Sequence, residues 1–201
     1  MNMSASRRGR PREFDPEQAL AAALQIFWTR GYEGASLAEL TEAMGITKPS
    51  LYACFGNKEA LFHKALALYE RDKLNYMRSA LAEPTARAVT ERLLRETLAI
   101  HTGVDSPRAC LGVISMVACT TQAETIKVEV VGRQASSTKA LVERFARARE
   151  EGDLPGHLNP HALASFVLAI MQGMGVQAGV GAGTEELERL VDIAMTMWPS
   201  D

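Results

Sequence analysis

The chain has 201 residues, of which 47% are hydrophobic and 23% are charged, which is the composition of an ordinary globular protein. This length provides enough core residues for one large domain or two small ones. Its three cysteines, Cys54, Cys110 and Cys119, are odd in number and lack metal-site spacing, which favours a reduced cytoplasmic interior over a disulfide scaffold. No apolar run follows the basic N-terminus, so we expect no signal peptide.

The net charge of −2 is unevenly distributed along the chain. Residues 1–12 contain four arginines and no acidic residue, whereas the remaining residues carry 18 basic and 24 acidic side chains. A basic segment attached to an acidic body favours an anionic partner for that segment. We therefore expect residues 1–12 to be a disordered basic arm.

Helix start and stop signals recur through the first eighty residues, whereas strand patterns are weak throughout. An N-cap aspartate followed by proline predicts a first helix over 15–31. A capping box predicts a second over 36–45, and a threonine N-cap predicts a very short third helix over 47–53. An asparagine N-cap opens the fourth, which we expect over 57–81. The pattern is that of an all-α protein.

The second and third helices, joined through Gly45, have the spacing of a helix-turn-helix. The third is short enough to enter a groove about 12 Å wide. Its apolar residues face inward, and its polar residues are left outward: Thr47, Lys48, Ser50 and Tyr52. Lys58, at the start of the fourth helix, is placed to hold a phosphate. The alternative is an ordinary three-helix packing unit, which also contains short helices.

Residues 14–61 resemble the DNA-binding domain of the TetR family of bacterial transcriptional regulators. The resemblance lies in the stretch ALQIFWTRGYEGASLAELTEAMGITKPSLYACFGNKEAL. It implies base or groove contacts from Thr47, Lys48, Pro49 and Ser50, and phosphate contacts from Ser36, Tyr52 and Lys58. The family often has a histidine or an aromatic residue where this chain has Ala53 and Cys54, so we expect one phosphate contact of the family to be missing.

The basic arm has two interpretations once DNA is the expected partner. A disordered tail would add non-specific affinity through its arginines. The sequence RGRP at 8–11 also resembles the core of an AT-hook, in which Arg8 and Arg10 would enter a narrow minor groove.

The rest of the chain predicts further helices over 84–102, from Ser106 onward, over 122–150, from Asn159 and from Thr184. Residues 162–184 carry no charge, which fits either a membrane helix or a buried helix ending in a glycine-rich loop, and we expect the buried helix. The resemblance implies that the last two helices pair with their copies in a second subunit. The expected interface residues are Phe166, Ile170, Gly173, Met174, Leu190, Ala194 and Trp198.

The resemblance also implies that the middle helices enclose a pocket for an unidentified small molecule. The candidate lining residues are Met77, His101, Cys110, Met116, Cys119, Phe166 and Met171. Each of these is also compatible with an ordinary core position, because Met and Cys fill core gaps routinely. His101 has no partner at metal-ligand spacing, and Cys110 and Cys119 leave thiol sensing open. The pocket region has no acidic cluster, which favours an apolar or mildly polar ligand.

The sequence thus predicts an all-α fold with three parts. These are an arm over 1–12, an N-terminal three-helix helix-turn-helix DNA-binding domain over 13–60, and a larger C-terminal helical ligand-binding and dimerisation domain over 61–201. The expected function is a cytoplasmic, homodimeric transcriptional regulator, most simply a repressor, that binds a pseudo-palindromic double-stranded operator. We expect no catalysis, no cofactor, no metal and no membrane partner. The alternative is an all-α enzyme or carrier with an incidental helix-turn-helix.

Overall fold

The computed structural model describes residues 14–103, 107–108, 110–117 and 123–199. Within these ranges the chain forms ten helices and no strand. The helices are α1 Pro16–Gly34, α2 Leu37–Ala43, α3 Lys48–Phe55, α4 Lys58–Lys73, α5 Tyr76–Ala80, α6 Ala86–Thr102, α7 Leu111–Val117, α8 Glu124–Glu150, α9 Pro160–Gly179 and α10 Thr184–Thr196. The all-α prediction is confirmed.

The predicted helix starts of the N-terminal unit are confirmed in detail. The Asp15 carboxylate accepts from the backbone amides of Glu17 and Gln18 at the start of α1. Thr47 and Asn57 cap α3 and α4 in the same way, each accepting from the amide three residues on. Side-chain acceptors satisfy amides that no carbonyl of the helix can reach, which is why these residues fix the starts. The helical path of α1 breaks at Gly31, as predicted, because its φ is 71° and its ψ is 176°.

The predicted fourth helix over 57–81 is wrong in length. It divides into α4, which ends at Lys73, and the short helix α5, which begins at Tyr76. Leu74 leaves the helical region with φ −107° and ψ 3°. The break turns the chain so that the Tyr76 hydroxyl lies 3.0 Å from the Thr97 hydroxyl on α6. The end of α4 therefore coincides with a tertiary contact, and no glycine or proline marks a stop there.

Two further boundaries differ from the sequence expectation. Helix α7 begins at Leu111, so Cys110 precedes it, whereas we placed Cys110 inside a helix capped by Ser106, which lies outside the described residues. Helix α9 continues to Gly179, past the glycines expected to fray it. At one of them, Gly175, an added Cβ would lie 3.0 Å from Cys110 Cβ and 3.2 Å from His101 Nε2. Glycine at that position permits close packing of α9 against α6 and Cys110.

The core consists of two apolar clusters. The first joins α1–α4 to α7 and the first half of α8, with Phe27, Trp28, Phe62 and Tyr69 among its largest side chains. The second joins α5, α6, the second half of α8, α9 and α10. Helix α4 belongs to the first cluster over nearly its whole length, although the predicted domain boundary falls at its start.

Helix α9 is the one described helix that is long and apolar enough to cross a membrane, with a mean hydropathy of 1.4. It packs against α6, α7 and α8, and its buried side contributes Leu163, Val167 and Met174 to the second cluster. A core helix of this kind passes the same length and composition test as a membrane span.

Gly31 makes a contact between the N-terminal unit and the rest of the molecule. A Cβ at this position would lie 3.1 Å from Ile114 Cγ2 on α7, and the backbone conformation there is one that only glycine adopts readily. The absence of a side chain at residue 31 therefore allows the end of α1 to pack closely against α7.

We expect Gly31→Ala to lower the free energy of unfolding by about 2–4 kcal/mol, from backbone strain plus the collision with Ile114. Gly45→Ala is the matched control, because Gly45 also has a positive φ of 66° but has nothing within 4 Å of an added Cβ. The control substitution should lower the free energy of unfolding by only about 1–2 kcal/mol. Urea unfolding followed by circular dichroism measures both, and equal losses would remove the Ile114 contact from the explanation.

Candidate nucleic-acid interface and internal cavity

The N-cap residue Thr47 orders the first turn of α3, which carries part of the exposed surface of this helix. The Thr47 hydroxyl accepts from the Ser50 amide at 3.3 Å, and the two hydroxyl oxygens lie 2.9 Å apart. Lys48 and Pro49 are exposed in the first turn, and the Tyr52 side chain is 51% exposed one turn further on. Leu51 and Phe55 are buried beneath them, so α3 is anchored by one face and presents small and polar groups on the other.

Ser36 has a defined structural role at the start of α2. Its Oγ accepts from the Glu39 amide at 3.1 Å, and the Glu39 carboxylate accepts from the Ser36 amide at 3.0 Å. The hydrogen bonds of the Glu39 carboxylate to the side chain and to the backbone amide of Ser36, with Arg30 nearby, lower the pKa of Glu39, and burial opposes the shift. Ser36 therefore sits at the exposed start of α2, oriented by Glu39.

The amino group of Lys58 is held against the C-terminal end of α1, past the break at Gly31. Its Nζ lies 3.5 Å from the Glu33 carbonyl oxygen and 4.6 Å from the centre of the Tyr32 ring. Burial lowers the pKa of Lys58, and the Glu33 carboxylate opposes that shift. A phosphate at this position would meet a cation whose place is set by its neighbours rather than a freely moving side chain.

The sequence analysis missed the residues that hold this surface in place. Tyr32 stacks on Phe27 and packs edge-on against Phe62, and its ring also supports Lys58. Lys64 reaches back along α4 so that its Nζ lies 3.4 Å from the Cys54 carbonyl oxygen at the end of α3. Only the Gly-Tyr pair after the first helix offered a signal for Tyr32, and no pattern indicated Lys64.

Two of the predicted DNA contacts cannot be placed. Arg8 and Arg10 lie in the N-terminal segment outside the described residues, so both interpretations of the basic arm stay predictions. The remaining candidates all lie in α3 or at the starts of α2, α3 and α4.

A cavity of about 140 Å³ lies between α4, α5, α6, α7, α8 and α9. Four predicted lining residues are found there: Met77, His101, Cys110 and Met171. Phe166 is not, because it lies on the outer side of α9 with 42% of its surface exposed. Cys119 and the Met116 side chain lie outside the described part of the chain.

The polar groups of the cavity are buried. Burial, and then the charge and hydrogen bond of the Cys110 thiol, raise the pKa of Tyr69. Burial raises the pKa of Tyr76 to about 12, although its hydrogen bond to Thr97 opposes the shift. Burial lowers the pKa of His101 to about 4, and its Nδ1 has no hydrogen-bond partner within the described residues. At neutral pH these three side chains are therefore uncharged.

Charged residues at one side of the cavity are paired across α4 and α8. Arg133 on α8 bonds to Glu70 on α4 and to Glu129, one turn away on its own helix. Burial opposes ionisation there, but the hydrogen bonds and charges of Glu129 and Glu70 raise the pKa of Arg133. Glu129 also contacts His63 Nδ1, and His63 Nε2 lies 3.7 Å from Glu59. This network links α4 to α8, and its Glu70 and Arg133 also line the cavity.

The outer face of the last two helices is apolar and exposed. Ile193 and Met197 lie one turn apart on α10 with 61% and 69% of their surface exposed, and Val176 is exposed on α9. An added Cβ at Gly173 would meet nothing within 4 Å. Three expected interface residues lie elsewhere: Met174, Ala194 and Trp198 are buried in the second cluster of the same chain. They are packed against the protomer's own core, so they have little surface to offer a partner.

Among the described residues, no group of three or more His, Cys, Asp or Glu side chains is arranged to hold a metal ion. His101 and Cys110 approach one another across Gly175, but within the described ranges no third metal-ligating side chain joins them.

The chain matches known proteins over its N-terminal unit and over nearly its whole length. The family model described as bacterial regulatory proteins, tetR family, matches residues 19–65. The HTH-type transcriptional repressor ComR of Escherichia coli (strain K12) is 33% identical over 195 residues, covering 96% of this chain and 92% of ComR. The HTH-type transcriptional repressor BdcR of the same strain is 29% identical, covering 89% of this chain and 86% of BdcR.

A solved structure also matches across both parts of the fold. A cysteine mutant of the TetR family transcriptional regulator CifR, complexed with 26-bp double-strand operator DNA, superposes with a TM-score of 0.89. Its sequence is 42% identical, and the match covers 94% of this chain and all of that one. The similarity thus includes the cavity region as well as the helix-turn-helix.

The low pKa of His101 makes stability depend on pH. The unfolded chain takes up this proton near pH 6.5 and the folded chain only near pH 4, so stability is intact above pH 6.5 and falls as the pH drops towards 4. Between pH 7 and pH 5 the loss from this group should be about 2 kcal/mol. His101→Leu should remove that part of the slope in urea unfolding, whereas His157→Leu, at an exposed site, should not. Parallel pH profiles for wild type and His101→Leu would contradict the assignment.

Proposed function

Because this chain belongs to the TetR family of bacterial transcriptional regulators, we propose that it acts as a dimeric repressor that releases operator DNA when a small molecule enters the cavity. The family is one of DNA-binding regulators rather than enzymes, so the alternative of an all-α enzyme or carrier has no relative to support it. The single observation that carries the proposal is α3, a short helix anchored by its buried face beside an exposed polar one.

In this proposal α3 enters the major groove with its N-terminal turn. Thr47, Lys48, Pro49 and Ser50 contact base edges or the groove walls, since the first three are exposed there and Ser50 is partly exposed. Ser36, Tyr52 and Lys58 contact the phosphates on either side. Arg8 and Arg10 extend the contact along the backbone or into a minor groove.

Two copies of the chain pair through the outer face of α9 and α10. Phe166 and Ile170 on α9, and Leu190 and Ile193 on α10, supply the apolar contacts, and Gly173 allows the helices to approach closely. Pairing in this way would set two α3 helices about 34–36 Å apart, or a simple multiple of that spacing, to read a pseudo-palindromic site. The regulator would then work in the cytoplasm, where the chromosome lies.

Repression is supported by the names of the relatives. ComR and BdcR are called transcriptional repressors, and CifR was solved on operator DNA. An operator overlapping a promoter would exclude RNA polymerase, so no activating surface is needed.

The cavity connects with the DNA-binding unit by two routes. Helix α4 is only 16 residues long, and it carries Lys58 at its start and the cavity residues Leu66 and Tyr69 further along. Helix α7 carries Val113 in the cavity wall and Ile114 against Gly31. A molecule that displaces either helix moves the base of the recognition unit, which changes the spacing of the two α3 helices. The domains proposed at 13–60 and 61–201 are thus mechanically continuous through α4.

The proposal is tested with the DNA immediately upstream of the coding region. An electrophoretic mobility shift with purified protein should show one dimer bound to an inverted repeat in that DNA. Scrambling one half-site should cost most of the affinity, because both recognition helices must engage together. Equal affinity for intact and scrambled repeats would contradict operator recognition.

Lys58→Ala should weaken binding to operator and to unrelated DNA alike. Loss of one phosphate contact should lower the slope of log affinity against log salt by about 0.9. Lys139→Ala is the matched control, since it removes the same charge from the exposed surface of α8. A changed base preference with an unchanged slope would assign Lys58 to base reading instead.

Ile193→Asp should convert the dimer to a monomer at micromolar concentration, because the carboxylate would be buried in an apolar interface. Ala67→Asp adds the same group to an exposed site on α4 and should leave the dimer intact. Sedimentation velocity distinguishes the two species. A dimeric Ile193→Asp protein would place the interface on another face.

A further inference from the structure

We propose that the cavity binds an uncharged molecule with a body about the size of one six-membered ring and a single hydroxyl or carbonyl group that hydrogen-bonds to His101. This inference rests on the proposed function, because it names the class of molecule that would release DNA. It follows from the volume of the cavity, the pairing of its charges and the one buried polar atom without a partner among its described lining residues.

The volume sets the size of the ligand. The cavity measures about 140 Å³. An apolar protein cavity of about 150 Å³ accommodates benzene. A ligand of roughly six to ten heavy atoms therefore fits, whereas a two-ring molecule would require the surrounding helices to move.

The walls select an apolar body. Leu66 from α4, Ile100 from α6, Val130 from α8 and Leu168 from α9 line the space on several sides. Leu74 and Met77 extend the apolar lining beyond the end of α4. A hydrocarbon ring would be removed from water on most of its surface, which is the main favourable contribution in a site of this kind.

The charges of the lining exclude ionic ligands. Among the described lining residues the two charged side chains are Glu70 and Arg133, and they bond to one another. Arg133 is further engaged by Glu129. A carboxylate or an ammonium entering the cavity would have to break this pairing or remain unpaired in an apolar site, and both are costly.

Several polar side chains line the cavity, among them Gln134, Ser137 and Gln172, and within the described residues one of the lining side chains, His101, has a buried atom without a hydrogen-bond partner. The His101 side chain is 4% exposed, and its Nδ1 has no partner in the part of the chain described. Thr97, one turn earlier on α6, donates to the Leu93 carbonyl at 2.7 Å, so the Tyr76 hydroxyl donates to Thr97 and keeps an oxygen that can still accept. Tyr69 is engaged with Cys110.

His101 suits an uncharged partner in particular. Burial holds its pKa near 4, so the ring is neutral at pH 7.5 and offers one donor and one acceptor nitrogen. A neutral imidazole supplies no positive charge for a carboxylate. It pairs equally well with the acceptor of a carbonyl or with the hydrogen of a hydroxyl, which completes the otherwise unsatisfied group.

Isothermal titration calorimetry on the full chain at pH 7.5 tests this inference with four probes of one size: benzyl alcohol, toluene, benzoate and benzylamine. Benzyl alcohol should bind one molecule per chain with a dissociation constant below about 1 mM. Toluene should bind about three- to tenfold more weakly, since it leaves His101 unpaired. Benzoate and benzylamine should bind at least about tenfold more weakly than benzyl alcohol.

Variants locate the site. His101→Leu should lower the affinity for benzyl alcohol to that for toluene and leave the affinity for toluene unchanged. His157→Leu should change neither affinity. Met171→Trp should abolish binding of all four probes, with circular dichroism confirming that it folds. Benzyl alcohol binding that survives both cavity substitutions would overturn the placement.

The remaining outcomes separate this inference from the proposed function. Benzoate or benzylamine binding as tightly as benzyl alcohol, or no binding of any probe, overturns the ligand class. Diphenylmethanol binding as tightly as benzyl alcohol overturns the size limit. A mobility shift on the upstream repeat, run with the same preparation, reports on operator recognition alone. Failure to bind that repeat contradicts the proposed function. It does not change what the calorimetric titrations say about the ligand class.

Discussion

The packing of α1 against α4 is the interaction on which both sites depend. Two edge-to-face aromatic pairs form it: Phe27 with Phe62, whose ring centres lie 5.1 Å apart, and Trp28 with Tyr69, at 4.7 Å. All four side chains are almost completely buried, and each pair adds to the free energy of burial by its geometry. Tyr69 then reaches the cavity, where it contacts Cys110. One aromatic layer therefore supports the recognition unit from below and forms part of the cavity wall.

This shared layer explains why the fold can couple the two sites. A close-packed core is not continuously deformable, so a side chain displaced in the cavity must move its neighbours as a unit. The ion pairs between α4 and α8, centred on Arg133, resist sliding of α4 along its own axis. The close packing of Gly31 against Ile114 limits the motion of α1 relative to α7. Together these contacts join the DNA-binding unit to the rest of the molecule through both α4 and α1.

Much of the N-terminal unit could be predicted because its signals are local. Ser36, Thr47 and Asn57 cap helices through amides three residues away, so the sequence alone places those starts. The end of α4 could not be predicted, because the Tyr76–Thr97 contact that accompanies it joins residues 21 positions apart. Phe166 illustrates the same limit: its apolar character fits a pocket or an interface, and only the rotation of α9 places it outside the cavity.

The sequence by itself determined the all-α class, the caps of the first four helices and the polar face of α3, since these depend on contacts within one or two helical turns. Only the tertiary structure decided which apolar residues of α9 and α10 face inward, where His101 lies relative to Cys110, and that Arg133 is paired with Glu70. Those outcomes depend on how helices far apart in the chain pack together. Periodicity can name the apolar side of a helix, but it does not say what lies opposite that side, and that depends on side-chain volumes contributed by several helices at once.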